Sequence, residues 1–234
     1  MSDRACLLLH GFTGGAYEVH PLARHLHDGG WDCFTPTLPG HGGDLRKLKN
    51  VSRRDWLKAA EEEADKLAGR YGRFDLVGFS MGGLIAAYLA NRYPVRRLVF
   101  LNAAVYYVSP ARLARDVYRQ WRKGDTSYYR RKERTPLPAV VQFMRLVREL
   151  KPEFDEVTAS TLIVQGARDQ IVHPYSARYI HKRLKGDKEL HFFPESRHII
   201  CTDVEAREVF TRVEGFLGRE TRGDGRPLSG IGHG

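Results

Sequence analysis

Short apolar runs alternate along this chain with stretches whose apolar residues recur every three or four positions. The first run, Ala5 to Leu9 (Ala-Cys-Leu-Leu-Leu), is continuous and ends at His10-Gly11, the pattern of a strand buried on both faces. After the loop Phe12-Thr13-Gly14-Gly15, Leu22 and Leu26 mark a helix that stops at Gly29-Gly30. A second strand is expected from Trp31 to Thr37, followed by the loop Leu38-Pro39-Gly40-His41-Gly42-Gly43. Ser52 and Asp55 have the spacing of a capping box and open a helix carrying Leu57, Ala60, Ala64 and Leu67 on one face. Further strands are expected at Phe74 to Phe79, Arg97 to Leu101, Thr161 to Gln165 and Leu190 to Phe193. Helical runs lie at Leu84 to Tyr93, from Pro174 (a favoured first helical position) and after Asp203, a residue type suited to an N-cap. This rhythm predicts an α/β chain built on a doubly wound parallel sheet of about six strands.

Residues 105–157 break the alternation, being too long for one crossover. Arg112 to Lys123 reads as one helix, and Val140, Phe143, Met144 and Val147 as the apolar stripe of a second, with Pro136 and Pro138 between them. The expectation is a small helical cap of residues 105–157 over the carboxyl edge of the sheet. Residues 1–104 and 158–217 then form the core, and the Gly- and Arg-rich residues 218–234 a flexible tail.

The chemistry centres on the third strand. Gly78, Ser80 and Gly82 fit Gly-x-Ser-x-Gly, with an apolar strand before and a helix after, which is the setting of a nucleophile elbow. Side chains two residues to either side of so sharp a turn would collide with it, and glycine removes them. A serine needs a base and the base an orienting carboxylate. Sites in such sheets form at the carboxyl ends of strands, so the partners should follow later strands. Asp169 follows the fifth and His198 the sixth, in the order Ser, Asp, His. Asp203 is an alternative carboxylate. The backbone N–H groups of Phe12 and Met81 are the expected oxyanion donors. His41 is expected to shape its loop, His173 to precede a helix, and His20, His25 and His27 to lie on or beside a surface helix. Cys201 has no elbow around it.

The 234 residues suit one domain, and no apolar run approaches the ~20 residues that span a bilayer. Cys6, Cys33 and Cys201 are widely spaced, without metal-ligand spacing. With no room for a leader before the first strand, the expectation is a cytoplasmic, reduced, metal-free protein. The net charge of +10 reads as a basic surface, since no nucleic-acid motif accompanies it. Residues 111–134 hold nine cations against three acids, with Tyr118, Trp121, Tyr128 and Tyr129 among them. That segment is either a solvated face or a weak contact for an anionic membrane.

His-Gly-Phe-Thr-Gly-Gly at 10–15, Gly-His-Gly at 40–42, Gly-Phe-Ser-Met-Gly-Gly at 78–83 and the late Asp169 and His198 resemble the bacterial carboxylesterase and monoacylglycerol lipase group of α/β-hydrolases. The resemblance runs from Ala5 to about Leu217 and is weakest in the cap. It implies cofactor-free hydrolysis of short- to medium-chain acyl esters or monoacylglycerols, with Ser80, Asp169 and His198 as the triad. Thioester or lysophospholipid hydrolysis by the same groups, or a non-catalytic ligand-binding relative, are the alternatives. Two departures stand out. Arg197 occupies a position where the group commonly has glycine, which strains the loop if positive φ is required there. The sheet also lacks antiparallel leading strands, as in a minimal core.

Overall fold

The computed structural model describes residues 4–107 and 135–219. Six parallel strands form one sheet: β1 (Ala5–Leu9), β2 (Asp32–Phe34), β3 (Phe74–Phe79), β4 (Val95–Leu101), β5 (Ser160–Gly166) and β6 (Lys188–Phe193), in the order β2-β1-β3-β4-β5-β6. The strand order reverses between β1 and β3, so the carboxyl ends of these two neighbours flank the crevice where ligands bind in open α/β sheets.

Side-chain alternation along each strand builds two cores. Leu7, Leu9, Leu76, Leu98, Phe100 and Ile163 face one side. There they meet α2 (Arg53–Tyr71), α3 (Met81–Ala90), α4 (Leu137–Leu150) and α5 (Tyr175–Arg183). Cys6, Leu8, Val77, Phe79, Val99, Leu101, Leu162 and Val164 face the other, against α1 (His20–Asp28) and α6 (Ala206–Leu217). Burial on both faces explains why β1 reads as an unbroken apolar run and β3 as one interrupted only by Asp75, which accepts from Trp31 Nε1 and Arg96 Nε. The capping box forms as expected: the Ser52 side chain accepts from Asp55 N–H, and the Asp55 side chain accepts from Ser52 N–H.

The differences from the pattern have local causes. β2 stops at Phe34 rather than Thr37, because it is an edge strand paired only with β1 and runs into Pro36, which has no N–H. β4 begins two residues before Arg97, where Val95 pairs with Phe74. α3 starts at Met81 and ends at Ala90, and the N–H groups of Arg92 and Tyr93 turn back to the Leu89 carbonyl before Pro94. Pro174 stands just before the first residue of α5.

On α4 the buried face is Ala139, Phe143, Leu146, Val147 and Leu150, whereas Val140 and Met144 are exposed. The expected stripe is therefore rotated: Phe143 and Val147 belong to it, and Ala139, Leu146 and Leu150 complete it. The helix expected at Arg112 to Lys123, the basic run at 111–134 and most of the tail lie outside the described residues.

Candidate active site

Ser80 follows β3 and precedes α3, with φ 52° and ψ −114°, outside the ordinary regions for a non-glycine residue. Its N–H donates to the Leu101 carbonyl at 2.9 Å, and its carbonyl accepts from Gly83 and Ala104 at 3.0 and 3.1 Å. The end of β4 and the first turn of α3 thus hold the strained turn. A Cβ on Gly78 would lie 2.6 Å from Gly83 Cα, and one on Gly82 would lie 2.8 Å from the His10 carbonyl oxygen. The glycines are required because backbone passes where side chains would be.

The side chains expected to meet Ser80 do so. His198 Nε2 lies 3.1 Å from Ser80 Oγ, and His198 Nδ1 lies 2.8 Å from Asp169 Oδ2. The other Asp169 oxygen accepts from the N–H groups of Ile171 and Val172 at 2.8 and 2.9 Å. These two bonds aim the carboxylate from the turn after β5. Burial disfavours charge on the His198 imidazole, but Asp169, through its charge and its hydrogen bond, and Glu18 outweigh burial. The His198 pKa therefore lies above its ordinary 6.5.

Asp203, the alternative carboxylate, does neither job foreseen for it. Its side chain accepts from Arg197 N–H at 2.5 Å and Val204 N–H at 2.9 Å, while α6 starts at Ala206, preceded by Glu205 without a side-chain cap. It is a clasp on the histidine loop rather than a helix cap. Glu205 adds a second, accepting from Ser196 Oγ at 2.6 Å and Glu195 N–H at 3.0 Å. Arg197 carries no strain: the non-glycine residues with positive φ among those described are Thr13, Ser80 and Asn102. Its side chain is exposed.

Beside the serine runs the loop after β1, where a Cβ on Gly11 would lie 3.2 Å from Ser80 Cβ. Gly11 N–H donates to the buried Glu18 carboxylate at 3.0 Å, and a Cβ on Gly14 would collide with that same carboxylate. Gly42 N–H donates to the Gly14 carbonyl at 3.0 Å, which ties the Gly-His-Gly loop to this one. Phe12 stacks on Phe143 of α4 at 4.5 Å, and Tyr107 meets Phe143 edge-on at 5.5 Å. These rings and Trp56, 5.8 Å from Phe12, make an apolar wall next to the serine loop.

His10 and His41 lie under this wall with ring centroids 5.0 Å apart. His10 Nδ1 donates to the Gly11 carbonyl at 2.8 Å and its Nε2 accepts from Leu38 N–H at 3.0 Å, so both ring nitrogens are used in the neutral form. Burial lowers both pKa values to about 4, that of His41 with a further push from His10. His41 shapes its loop as expected, donating from Nδ1 to the Pro39 carbonyl at 3.0 Å. His173 serves the start of α5, accepting from Tyr175 N–H at 3.1 Å. Cys201 is buried, and burial raises its thiol pKa to about 12, far from a nucleophile's. Among the described residues no cluster of His, Cys, Asp and Glu is arranged to hold a metal ion, and no helix is long and apolar enough to cross a membrane.

Residues 6–213 match the alpha/beta hydrolase family. The chain belongs to that family. It is 28% identical over 227 residues to a carboxylesterase of Bacillus subtilis (strain 168), covering 92% of each chain. To a thermostable monoacylglycerol lipase of Bacillus sp. (strain H-257) it is 27% identical over 225 residues, covering 91% of this chain and 90% of the relative. Among solved structures, one from the metagenome-derived lipolytic enzymes LipS and LipT superposes with a TM-score of 0.78 at 22% identity, covering 92% of this chain and 94% of the other. A soluble variant of monoglyceride lipase from Saccharomyces cerevisiae gives a TM-score of 0.68 at 18% identity, covering 93% and 86%. At such identities the solved structures speak to the fold. Among the described residues, all six strands of the sheet pair in parallel.

Two residues that hold the site escaped the sequence reading. Glu18 left no trace beyond an acid before a helix. Asn102 showed only as a polar residue ending an apolar strand.

Proposed function

We propose that this alpha/beta hydrolase cleaves carboxylic esters through an acyl-enzyme on Ser80, with short- to medium-chain acyl esters or monoacylglycerols as substrates. The observation that carries the proposal is the unbroken contact chain from Ser80 Oγ to His198 Nε2 at 3.1 Å and from His198 Nδ1 to Asp169 at 2.8 Å. His198 Nε2 takes the Ser80 proton as Oγ attacks the acyl carbonyl carbon. The oxyanion that forms is stabilised by the N–H groups of Phe12 and Met81, the latter at the positive end of α3. Asp169 holds the proton on Nδ1 and stabilises the imidazolium. Collapse breaks the ester C–O bond, and His198 returns its proton to the departing alcohol. A water then loses a proton to His198, attacks the acyl-enzyme and releases the acid, restoring Ser80. The partly exposed rings of Phe12 and Tyr107, backed by the buried Phe143 and Trp56, favour an apolar acyl chain. The names of the two Bacillus relatives point to the same substrate class.

The test is turnover of p-nitrophenyl esters of graded chain length, of monoacylglycerols, and of thioester and lysophospholipid counterparts. Ser80→Ala should lower turnover on the order of 10⁶-fold, as in another serine triad, and abolish fluorophosphonate labelling. Labelling that survives Ser80→Ala, or no turnover of any ester by the wild type, overturns the proposal.

A further inference from the structure

One buried side chain, Asn102, touches the turn that carries Asp169 and the loop that carries His198. It is the residue after β4, fully buried, with φ 46°. Its N–H donates to the Val164 carbonyl at 2.9 Å, fixing the backbone against β5. The left-handed conformation suits asparagine, one of the few non-glycine residues enriched there.

From that position the amide reaches in two directions. Oδ1 accepts from Gly166 N–H at 2.8 Å, and Gly166 opens the turn of Asp169, whose N–H donates to the Gly166 carbonyl at 3.2 Å. Nδ2 donates to the carbonyls of Arg197 at 3.0 Å and His198 at 2.8 Å. Both amide protons are thereby spent on the histidine loop.

The two segments also touch each other directly. Ala167 N–H donates to the Phe193 carbonyl at 2.8 Å and Arg168 N–H to the Ser196 carbonyl at 3.0 Å. A Cβ on Gly166 would sit 2.7 Å from the Arg197 carbonyl oxygen. The carbonyls of Ser196 and Arg197 therefore face the Asp169 turn, and Asn102 supplies a donor to the second of them and to the His198 carbonyl beyond.

We propose that Asn102 is a positioning residue that sets the distance between Asp169 and His198 by clasping both of their loops at once. It touches no reacting atom and acts through the placement of the imidazole. The proposal rests on the triad reading of Ser80, Asp169 and His198.

The test compares wild type with Asn102→Gly, which keeps the positive φ without the clasp. Asn102→Asp, nearly isosteric, keeps the acceptor for Gly166 but loses the donors to the histidine loop. Rates are counted per site titrated with a fluorophosphonate, on protein whose circular dichroism matches wild type. Misplacing a catalytic group by about 1 Å costs roughly 10²-fold. Both variants should lose kcat by about that factor, with KM changed less than about twofold. In Asn102→Gly, which adds no charge beside the histidine loop, the acid limb of kcat/KM should also move to lower pH. The carboxylates that pull the His198 pKa upward are Asp169 and Glu18, and loosening the first leaves burial to push it down. A merely structural asparagine would lower the number of titrated sites and leave kcat per site and the acid limb in place, which overturns the proposal. Labelling unaffected by Ser80→Ala overturns the triad and this inference with it. Labelling lost in Ser80→Ala while both Asn102 variants keep wild-type kcat overturns the clasp alone.

Discussion

Acid should weaken this fold before it protonates the structural carboxylates, and His10 and His41 are the cause. Burial lowers both pKa values from 6.5 to about 4. In the unfolded chain each takes up a proton near 6.5, and in the fold only near 4. Between those values the unfolded state binds more protons, so stability falls as pH falls. One pKa unit is about 1.4 kcal/mol, so by about pH 5 each histidine withdraws ~2 kcal/mol. The rings are 5.0 Å apart and a proton on one opposes a proton on the other, so ~4 kcal/mol is the upper bound for the pair. That is a large share of the 5–15 kcal/mol typical of a domain.

The described groups whose pKa values are raised or lowered by their partners titrate outside this window. The folded pKa of His198 is raised, so its contribution is present below 6.5 and lost as pH rises through the folded value. Asp55, Glu153 and Glu189 have lowered pKa values, and their contributions are lost only below the ordinary 3.8 and 4.5. Urea unfolding followed by circular dichroism at half-unit steps from pH 7 to 5 reads the slope directly. His41→Gln should roughly halve it. A stability change under about 0.5 kcal/mol across that range, or a slope unchanged in His41→Gln, refutes the reasoning.

Catalysis should fail at a higher pH than the fold, because kcat/KM needs neutral His198, whose pKa lies above 6.5; an acid limb centred below 6.5 contradicts this. Asp169→Asn should cut kcat by ~10⁴-fold, as in a comparable triad, whereas Asp203→Ala, which unties Arg197 N–H, should cost less than about tenfold; the reverse ranking in ester assays would exchange their roles. Phe143→Ala removes the ring stacked on Phe12 and should destabilise by about 3–5 kcal/mol in urea unfolding, lowering kcat/KM most for long acyl chains; an unchanged chain-length profile removes the apolar wall from substrate recognition. If the basic run at 111–134 contacts lipid, Ser80→Ala protein should co-sediment with anionic vesicles at ~0.01 M salt and release at ~0.1 M, while equal weak binding to neutral vesicles leaves that run as a solvated face.

The legible parts of this molecule were those whose physics repeats along the chain. β1 and β3 match their expected bounds because both faces are buried and, apart from Asp75, which Trp31 and Arg96 satisfy, no residue in them carries a charge. The elbow was found because the turn excludes side chains at fixed spacings from Ser80. α4 was misjudged by a rotation, since Val140 and Met144 fit helical spacing as well as Ala139 and Leu146 do, and only the packing partner decides between them. Asp203 has the sequence setting of a cap, because an acid before a helix looks alike whether it serves the helix or an earlier loop. Asn102 and Glu18 work through backbone groups, in the first case 64 to 96 residues away, and such bonds leave no periodic mark.

The contact between Gly14 and Glu18 also governs how this chain can change over generations. The space a Cβ on Gly14 would need is filled by the Glu18 carboxylate. Gly14→Ala alone collides with it, and Glu18→Ala alone takes the acceptor from Gly11 N–H. The two positions are therefore epistatic. Growth at residue 14 displaces the carboxylate and shrinkage at residue 18 removes it, so a lineage that alters this loop by either route passes through a variant whose serine-side turn has lost its anchor.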